Sequence, residues 1–298
     1  PCNREKDIVA ILDELYPERA TCALSHDLTA GNAACAYVKI SDGCNRFCSY
    51  CAIPYIRGRY HSFPLDQISR DVSAAVAKGA REVTLIAQDT GRWGADFEEP
   101  SSLAALLDVL ARQFPETWFR VLYIQPEGIT DELLGVMNTH ANVCSYLDIP
   151  LQHCNEKVLA DMNRKGSTAE YLDLVSHIRD IIPEATLRTT LIAGFPGESE
   201  GQFSELCDFV EDSDFDYVGV FAYSQEEGTR AATLPEQLDQ ETKDERAQLI
   251  RDISYAVSTS LFSHHVDQEM DVLVIGKEED GQLFGRAQCQ APEVDGVV

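Results

Sequence analysis

Six short runs rich in Val, Ile, Leu and Tyr recur along this chain, and segments with helical spacing lie between them. The runs are AYVKIS (36–41), EVTLIAQ (82–88), FRVLYI (119–124), VCSYLDI (143–149), TLRTTLIAG (186–194) and DYVGVFAYS (216–224). Runs of that length and composition read as strands covered on both faces. Strand and helix alternating in series predicts an α/β fold, a parallel sheet with helices packed outside it. The pattern admits an open doubly wound sheet or a partial barrel. No G-x-G-x-x-G follows the first run, which weighs against a dinucleotide fold.

The intervening segments carry their own signals. Leu65, Ile68, Val72 and Val76 mark one helix face, and helices are also expected over 101–114, 131–138, 156–163 and 169–182. Ser199 with Gln202 three residues on resembles a capping box. The last helix is expected to start near Thr242, with Glu245 three residues later and Ile250, Ile253, Val257 and Leu261 as its stripe. A short amphipathic helix is expected over 5–15, and 1–33 reads as a lead-in to a core spanning 34–265. Beyond residue 266 the period changes to two, in EMDVLVIG and GQLFGRAQCQ around an acidic, Gly-containing turn. That pattern predicts a small β module over 266–298, too short for an independent barrel.

Charge narrows the partners. Fifty acidic against 24 basic residues give a formal net charge of −26. Such a surface repels phosphate backbones and anionic membranes and suits a basic protein, though plain solubility also accounts for it. No stretch approaches the roughly 20 apolar residues of a membrane span. The opening residues lack the pattern of a signal peptide, and the ten cysteines cluster only once, so a reducing cytoplasm is expected. The chain opens without Met and in mid-motif, as a piece of a longer protein would.

The cluster of cysteines is ISDGCNRFCSYC (40–51), spaced C-x3-C-x2-C. Thiolates suit zinc, Cu(I) or iron–sulfur clusters. A structural zinc site needs a fourth protein ligand, which His61 could supply. A cubane cluster can instead rest on three cysteines and leave one iron open.

With Tyr50 in the aromatic position, C-x3-C-x-aromatic-C resembles the signature of radical S-adenosylmethionine (SAM) enzymes. The segments IRGRYHS, IAQDT, YLDIPLQH, RTTLIAGFPGE and VGVFAYSQEEGT are similar to the methylthiotransferases of that superfamily. AQDT (87–90) and DIPLQH (148–153) resemble the branch that acts on ribosomal protein uS12, rather than the tRNA branch. The resemblance runs from about residue 34 to 298. It implies a partial (β/α)6 TIM-like barrel followed by a partial TRAM module. It implies a [4Fe–4S] cluster on Cys44, Cys48 and Cys51, with SAM on the open iron. An electron from the cluster then cleaves the sulfonium and yields a 5′-deoxyadenosyl radical. The implied reaction methylthiolates the β-carbon of an aspartate in uS12, a basic protein. An external electron donor is implied, and a monomer without nucleic acid or membrane partners is expected. The family carries a second [4Fe–4S] cluster on an upstream domain; Cys2, Cys22 and Cys35 do not map onto its spacing, so that cluster is expected only in a full-length protein. A tRNA adenosine methylthiotransferase, or a binding module with a structural cluster, are the rival readings.

Individual residues follow. The Gln88–Asp89 turn resembles the family's contact to the methionine amino group. Asp148 is placed to bind ribose hydroxyls or substrate, and Arg188, costly within a covered strand unless paired, faces the methionine carboxylate or an internal acid. Gly194 and Gly197 let backbone approach the adenine, and Glu198 reads as either a ligand or a first-turn helix acid. Arg57, Arg59, Gln152 and His153 read as substrate-side groups. Cys144, Cys154, Cys207 and Cys289 read as small apolar residues.

Overall fold

The computed structural model describes residues 34–298 apart from Glu279; the expected helix over 5–15 and the lead-in to residue 33 lie outside the described residues. The chain forms β1 (Cys35–Lys39), a short ribbon of β2 (Ser41–Asp42) and β3 (His61–Ser62), and then β4 (Glu82–Ile86), β5 (Trp118–Val121), β6 (Val143–Gln152), β7 (Thr186–Ala193) and β8 (Tyr217–Ala222). Six of these make one sheet in the order β1-β4-β5-β6-β7-β8, and every neighbouring pair is parallel. Strand order therefore equals chain order. Right-handed crossovers in such a sheet put all connecting helices on one face. The other face is left concave, and β1 and β8 are its open edges.

The helices are α1 (Ile53–Arg57), α2 (Leu65–Ala77), α3 (Leu103–Gln113), α4 (Asp131–Thr139), α5 (Glu156–Asp161), α6 (Thr168–Ile181), α7 (Glu200–Asp212) and α8 (Gln240–Phe262). Side-chain caps start several: Ser102 accepts from Ala105 N, Thr130 from Leu133 N, Ser167 from Glu170 N. Ser199 and Gln202 form the expected capping box of α7. For α8 the expected start is corrected. Asp239, not Thr242, is the N-cap, and its carboxylate accepts from Thr242 N at 2.9 Å; Asp is the better cap of the two.

The central strands are covered on both faces, as expected, but the two faces differ in chemistry. Val83, Leu85, Phe119, Leu147, Ile149, Leu187 and Leu191 point outward into the main core beneath the helices. The residues alternating with them face inward, and many are polar: Glu82, Thr84, Arg120, Asp148 and Arg188. Tyr37, Ile86, Asp148, Arg188 and Phe221, from five of the six strands, and Leu122, directly after the remaining one, line one cavity of about 580 Å³. First and last strand share a cavity only if the sheet wraps round, as a partial barrel does.

The C-terminal run forms the expected antiparallel hairpin, β9 (Val272–Lys277) with β10 (Leu283–Ala287). It docks under the N-terminal ends of the strands. Arg286 is 1 % exposed, pairs with Glu82 and donates to Cys35 Sγ at 2.8 Å. Arg120 bonds Glu82 Oε1 at 2.7 Å and Gln288 O at 2.8 Å. Asp295 then accepts from Tyr146 Oη at 2.5 Å and from Ala291 N at 2.8 Å. Residues 292–294 thus floor the cavity. Among the described residues no helix is long and apolar enough to cross a membrane.

Candidate active site

The cysteine loop leaves the C-terminal end of β1, the end where barrels and open α/β sheets carry their sites. The β2–β3 ribbon closes its base, pairing Ser41 with Ser62 and Asp42 with His61. Gly43 sits at φ +70°, and a Cβ there would lie 2.2 Å from Arg59 O. Only glycine fits this turn. Cys44 N then bonds Gly58 O at 3.2 Å, and Cys51 N bonds Cys48 O at 3.0 Å. From outside, Ser49 N donates to Met162 O, Ala231 N donates to Ser49 O, and Asn163 Nδ2 donates to the carbonyls of Arg46 and Phe47. Phe47 is held at φ +51°, unusual for a bulky side chain.

Cys44, Cys48 and Cys51 are all half-buried and free of disulfides. Burial pushes the Cys44 and Cys51 thiols up, and the neighbouring loop thiols push each further. The three are thus close enough to feel one another. Among the described residues, however, no three His, Cys, Asp or Glu side chains converge on one metal ion. His61 is exposed on the ribbon, its ring 5.3 Å from that of Phe63. Three soft thiols on one pinned loop are a donor set that suits an iron–sulfur cluster.

Tyr50 packs against the main core, and burial raises its hydroxyl well above the usual range. At the end of β4, Gln88 is exposed while Asp89 is buried. Arg46 Nε reaches Asp89 Oδ2 at 2.6 Å, and Arg46 Nη1 reaches Glu127 at 3.1 Å. Asp89 Oδ1 is buried with no partner. Burial raises this carboxyl, and Arg46 only partly opposes the effect.

Asp148 and Arg188 meet on the inner wall of the barrel. Asp148 accepts from Arg188 Nη1 at 2.8 Å and from Tyr123 N at 3.0 Å. Arg188 also reaches Thr190 Oγ1 at 3.2 Å, and its Nε lies 3.8 Å from Asp295. Of the two roles weighed for Arg188, the structure displays a pairing with an internal acid. Gln152 lines the cavity, at φ +75°.

His153 and Glu198 sit elsewhere. His153 is fully buried, and its Nδ1 accepts from Cys154 N and Asn155 N, both at 3.0 Å. Its Nε2 lies 3.4 Å from Glu198 Oε2, too poorly aligned for a hydrogen bond. Both Glu198 oxygens accept from Gly194 N, and Oε1 also accepts from Arg246 at 2.7 Å. Glu198 therefore ties the end of β7 to α8. Gly194, at φ +74°, would place a Cβ 2.4 Å from Lys243 Cγ, so its bareness already serves packing. Arg57 is half-buried, Arg59 exposed.

Sequence reasoning missed two arginines. Arg46 lies within the loop. Arg164 arrives from beyond α5, bonds Gln125 Oε1 and Pro150 O at 2.7 Å each, and points Nη1 at Cys48 Sγ, 3.9 Å away. No local pattern around MNRKG announces that contact.

The profile of the radical SAM superfamily matches residues 38–210. A ribosomal protein uS12 methylthiotransferase RimO from Natranaerobius thermophilus is 43% identical over 265 residues, covering 88% of this chain and 60% of that protein. The protein of that name from Geotalea uraniireducens is 44% identical, with 88% and 59% covered. The chain thus spans about 60% of the length of the curated relatives it matches. Among solved structures, coproporphyrinogen III oxidase HemN from Escherichia coli superposes with a TM-score of 0.52 at 15% identity, over 77% of this chain and 53% of that one. Streptococcus suis SuiB gives 0.51 at 14%, over 85% and 51%. At such identities these two likenesses speak for the fold alone.

Proposed function

The chain belongs to the radical SAM superfamily, and from that premise we propose that it is the catalytic barrel of a uS12 methylthiotransferase. The observation that carries this reading is the pinned loop of Cys44, Cys48 and Cys51 at the C-terminal mouth of a six-stranded parallel barrel. Its close relatives are named for that activity.

Cys44, Cys48 and Cys51 would hold a [4Fe–4S] cluster. When bound, that cluster with SAM supplies one electron to the sulfonium and so a 5′-deoxyadenosyl radical. The protein's own part is to hold, orient and exclude water. Tyr50 closes the loop against the core and keeps water from one side of the thiols. Gln88, exposed at the end of β4, and the buried, unpartnered Oδ1 of Asp89 would offer acceptors for an ammonium group. The Asp148–Arg188 pair sets fixed charge on the cavity wall, where hydroxyl and carboxylate groups of a bound ligand find partners. Gly194, packed against Lys243, shapes the end of β7 on which an adenine would lie. Gln152, Arg57 and Arg59 are assigned to the substrate protein, while His153 and Glu198 hold backbone at the ends of β6 and β7.

The target is the β-carbon of an aspartate in uS12, and the net charge of −26 favours a basic protein over RNA. Residues 266–298 are assigned to a TRAM-like module. The cluster would take its electron from an external one-electron donor, in a reducing cytoplasm, with the barrel as a monomer. The test incubates a uS12 peptide, and separately tRNA, with full-length protein, SAM and reductant under anaerobic conditions. A methylthio group on the peptide alone is the expected result. The same gain on tRNA overturns the substrate assignment. A chain that binds no iron after reconstitution overturns the cluster.

A further inference from the structure

Arg164 reaches the cysteine loop across 116 residues of sequence. The segment that carries it cannot swing away, because Met162 O and Asn163 are bonded to the loop at Ser49, Arg46 and Phe47. Its Nη2 is committed to two neutral acceptors, Gln125 Oε1 and Pro150 O. Its Nη1 faces Cys48 Sγ, and its Nε is shut off from solvent without an acceptor. The acceptors it reaches are an amide oxygen, a backbone carbonyl and a thiol sulfur, none of them a carboxylate.

An enclosed guanidinium held only by neutral partners is costly. Shortage of acid does not explain it, since the chain has 50 acidic residues. The compensating negative charge is the loop's own: the thiolates and whatever they hold. We propose that Arg164 is a positioning residue that stabilises the reduced iron–sulfur cluster through the Cys48 sulfur and so raises its reduction potential. The inference rests on the cluster reading given above.

In the reduction, one electron passes from an external one-electron donor to the cluster. No bond breaks, and the cluster with its three thiolates becomes more negative by one charge. A fixed cation and an N–H···S contact favour the more negative state, and so make the electron easier to accept.

The test is an anaerobic potentiometric titration with dithionite, followed by EPR, on the reconstituted full-length protein without SAM. Arg164→Met is expected to take its electron at a more negative potential than the unaltered protein. Arg164→Lys, which keeps the charge but not the planar fork, is expected in between. Equal potentials for the unaltered protein and Arg164→Met overturn the inference. So does Arg164→Lys falling as low as Arg164→Met, which would remove charge as the cause. If Arg164→Met holds no iron, Arg164→Gln takes its place as the neutral variant under the same criteria. Failure of the cluster reading looks different: the unaltered protein itself then binds no iron and gives no signal to titrate.

Discussion

Arg188 and Asp148 face each other in register across β7 and β6, with Nη1 of the arginine 2.8 Å from Oδ1 of the aspartate. The pair is set on the concave wall with its side chains 16 % and 2 % exposed. Asp148→Ala leaves that guanidinium and the amide of Tyr123 without their acceptor. A loss of about 2–3 kcal/mol is expected, on the low side for a broken buried pair because Arg188 keeps some water. Asp148→Asn, which retains an oxygen for Tyr123, should lose less. Urea unfolding of the three proteins measures both, and equal stabilities would show that the wall does not depend on the pair.

Gly43→Ala removes no thiol but drives a Cβ into Arg59 O. The loop must shift at the residue before Cys44. Iron content per chain after reconstitution is expected to fall severalfold, with unfolding stability lower by about 1–3 kcal/mol for the strained turn. Full iron loading would mean that the loop tolerates the displacement.

Glu82 gives a pH signature at the barrel floor. Burial alone would raise its carboxyl, but Arg120 and Arg286 more than offset this and hold it below the ordinary range. A depressed folded value means that its stabilisation is complete above about 4.3, the unfolded value for Glu, and is lost as pH falls through the folded one. Glu82→Gln should therefore be less stable at neutral pH by about 3 kcal/mol. Its deficit should shrink on acidification below pH of about 4. A deficit that stays constant down the acid limb would count against this ion network.

Asp295→Asn weakens the acceptor for Tyr146 Oη and Ala291 N. Hydrogen exchange at Ala291 should speed up, with a stability change of about 1 kcal/mol. Unchanged exchange at that amide would mean the floor is held by the hairpin alone.

Much of this was legible beforehand. The six strands, the capping box at Ser199 and the C-terminal hairpin follow from spacing, because each depends on residues a few positions apart. The wall charges were harder. EVTLI and FRV do alternate, but their apolar members dominate the eye, and only the barrel's curvature explains why Glu82 and Arg120 belong inside. The cap at Asp239 was hidden by a second plausible cap, Thr242 with Glu245, three residues later. Arg164 could not be found at all, since its partners Gln125, Pro150 and Cys48 share no local pattern with it. His153 looked like a group for the substrate because it follows the end of a strand. In the fold its ring turns into the core and accepts two backbone amides.

Because strand order equals chain order, each new strand of a nascent chain finds its partner already laid down beside it. The sheet can grow in one direction as synthesis proceeds, with only short searches between steps. Closure of the floor follows another rule. Arg286 must find Cys35 from 251 positions away, and Gln288 must find Arg120 from 168. Until those last residues arrive, the interior charges stand open to water at the base. The barrel is assembled strand by strand and sealed from below, and residues 286–295 act as a stopper that must be brought back to the first strand.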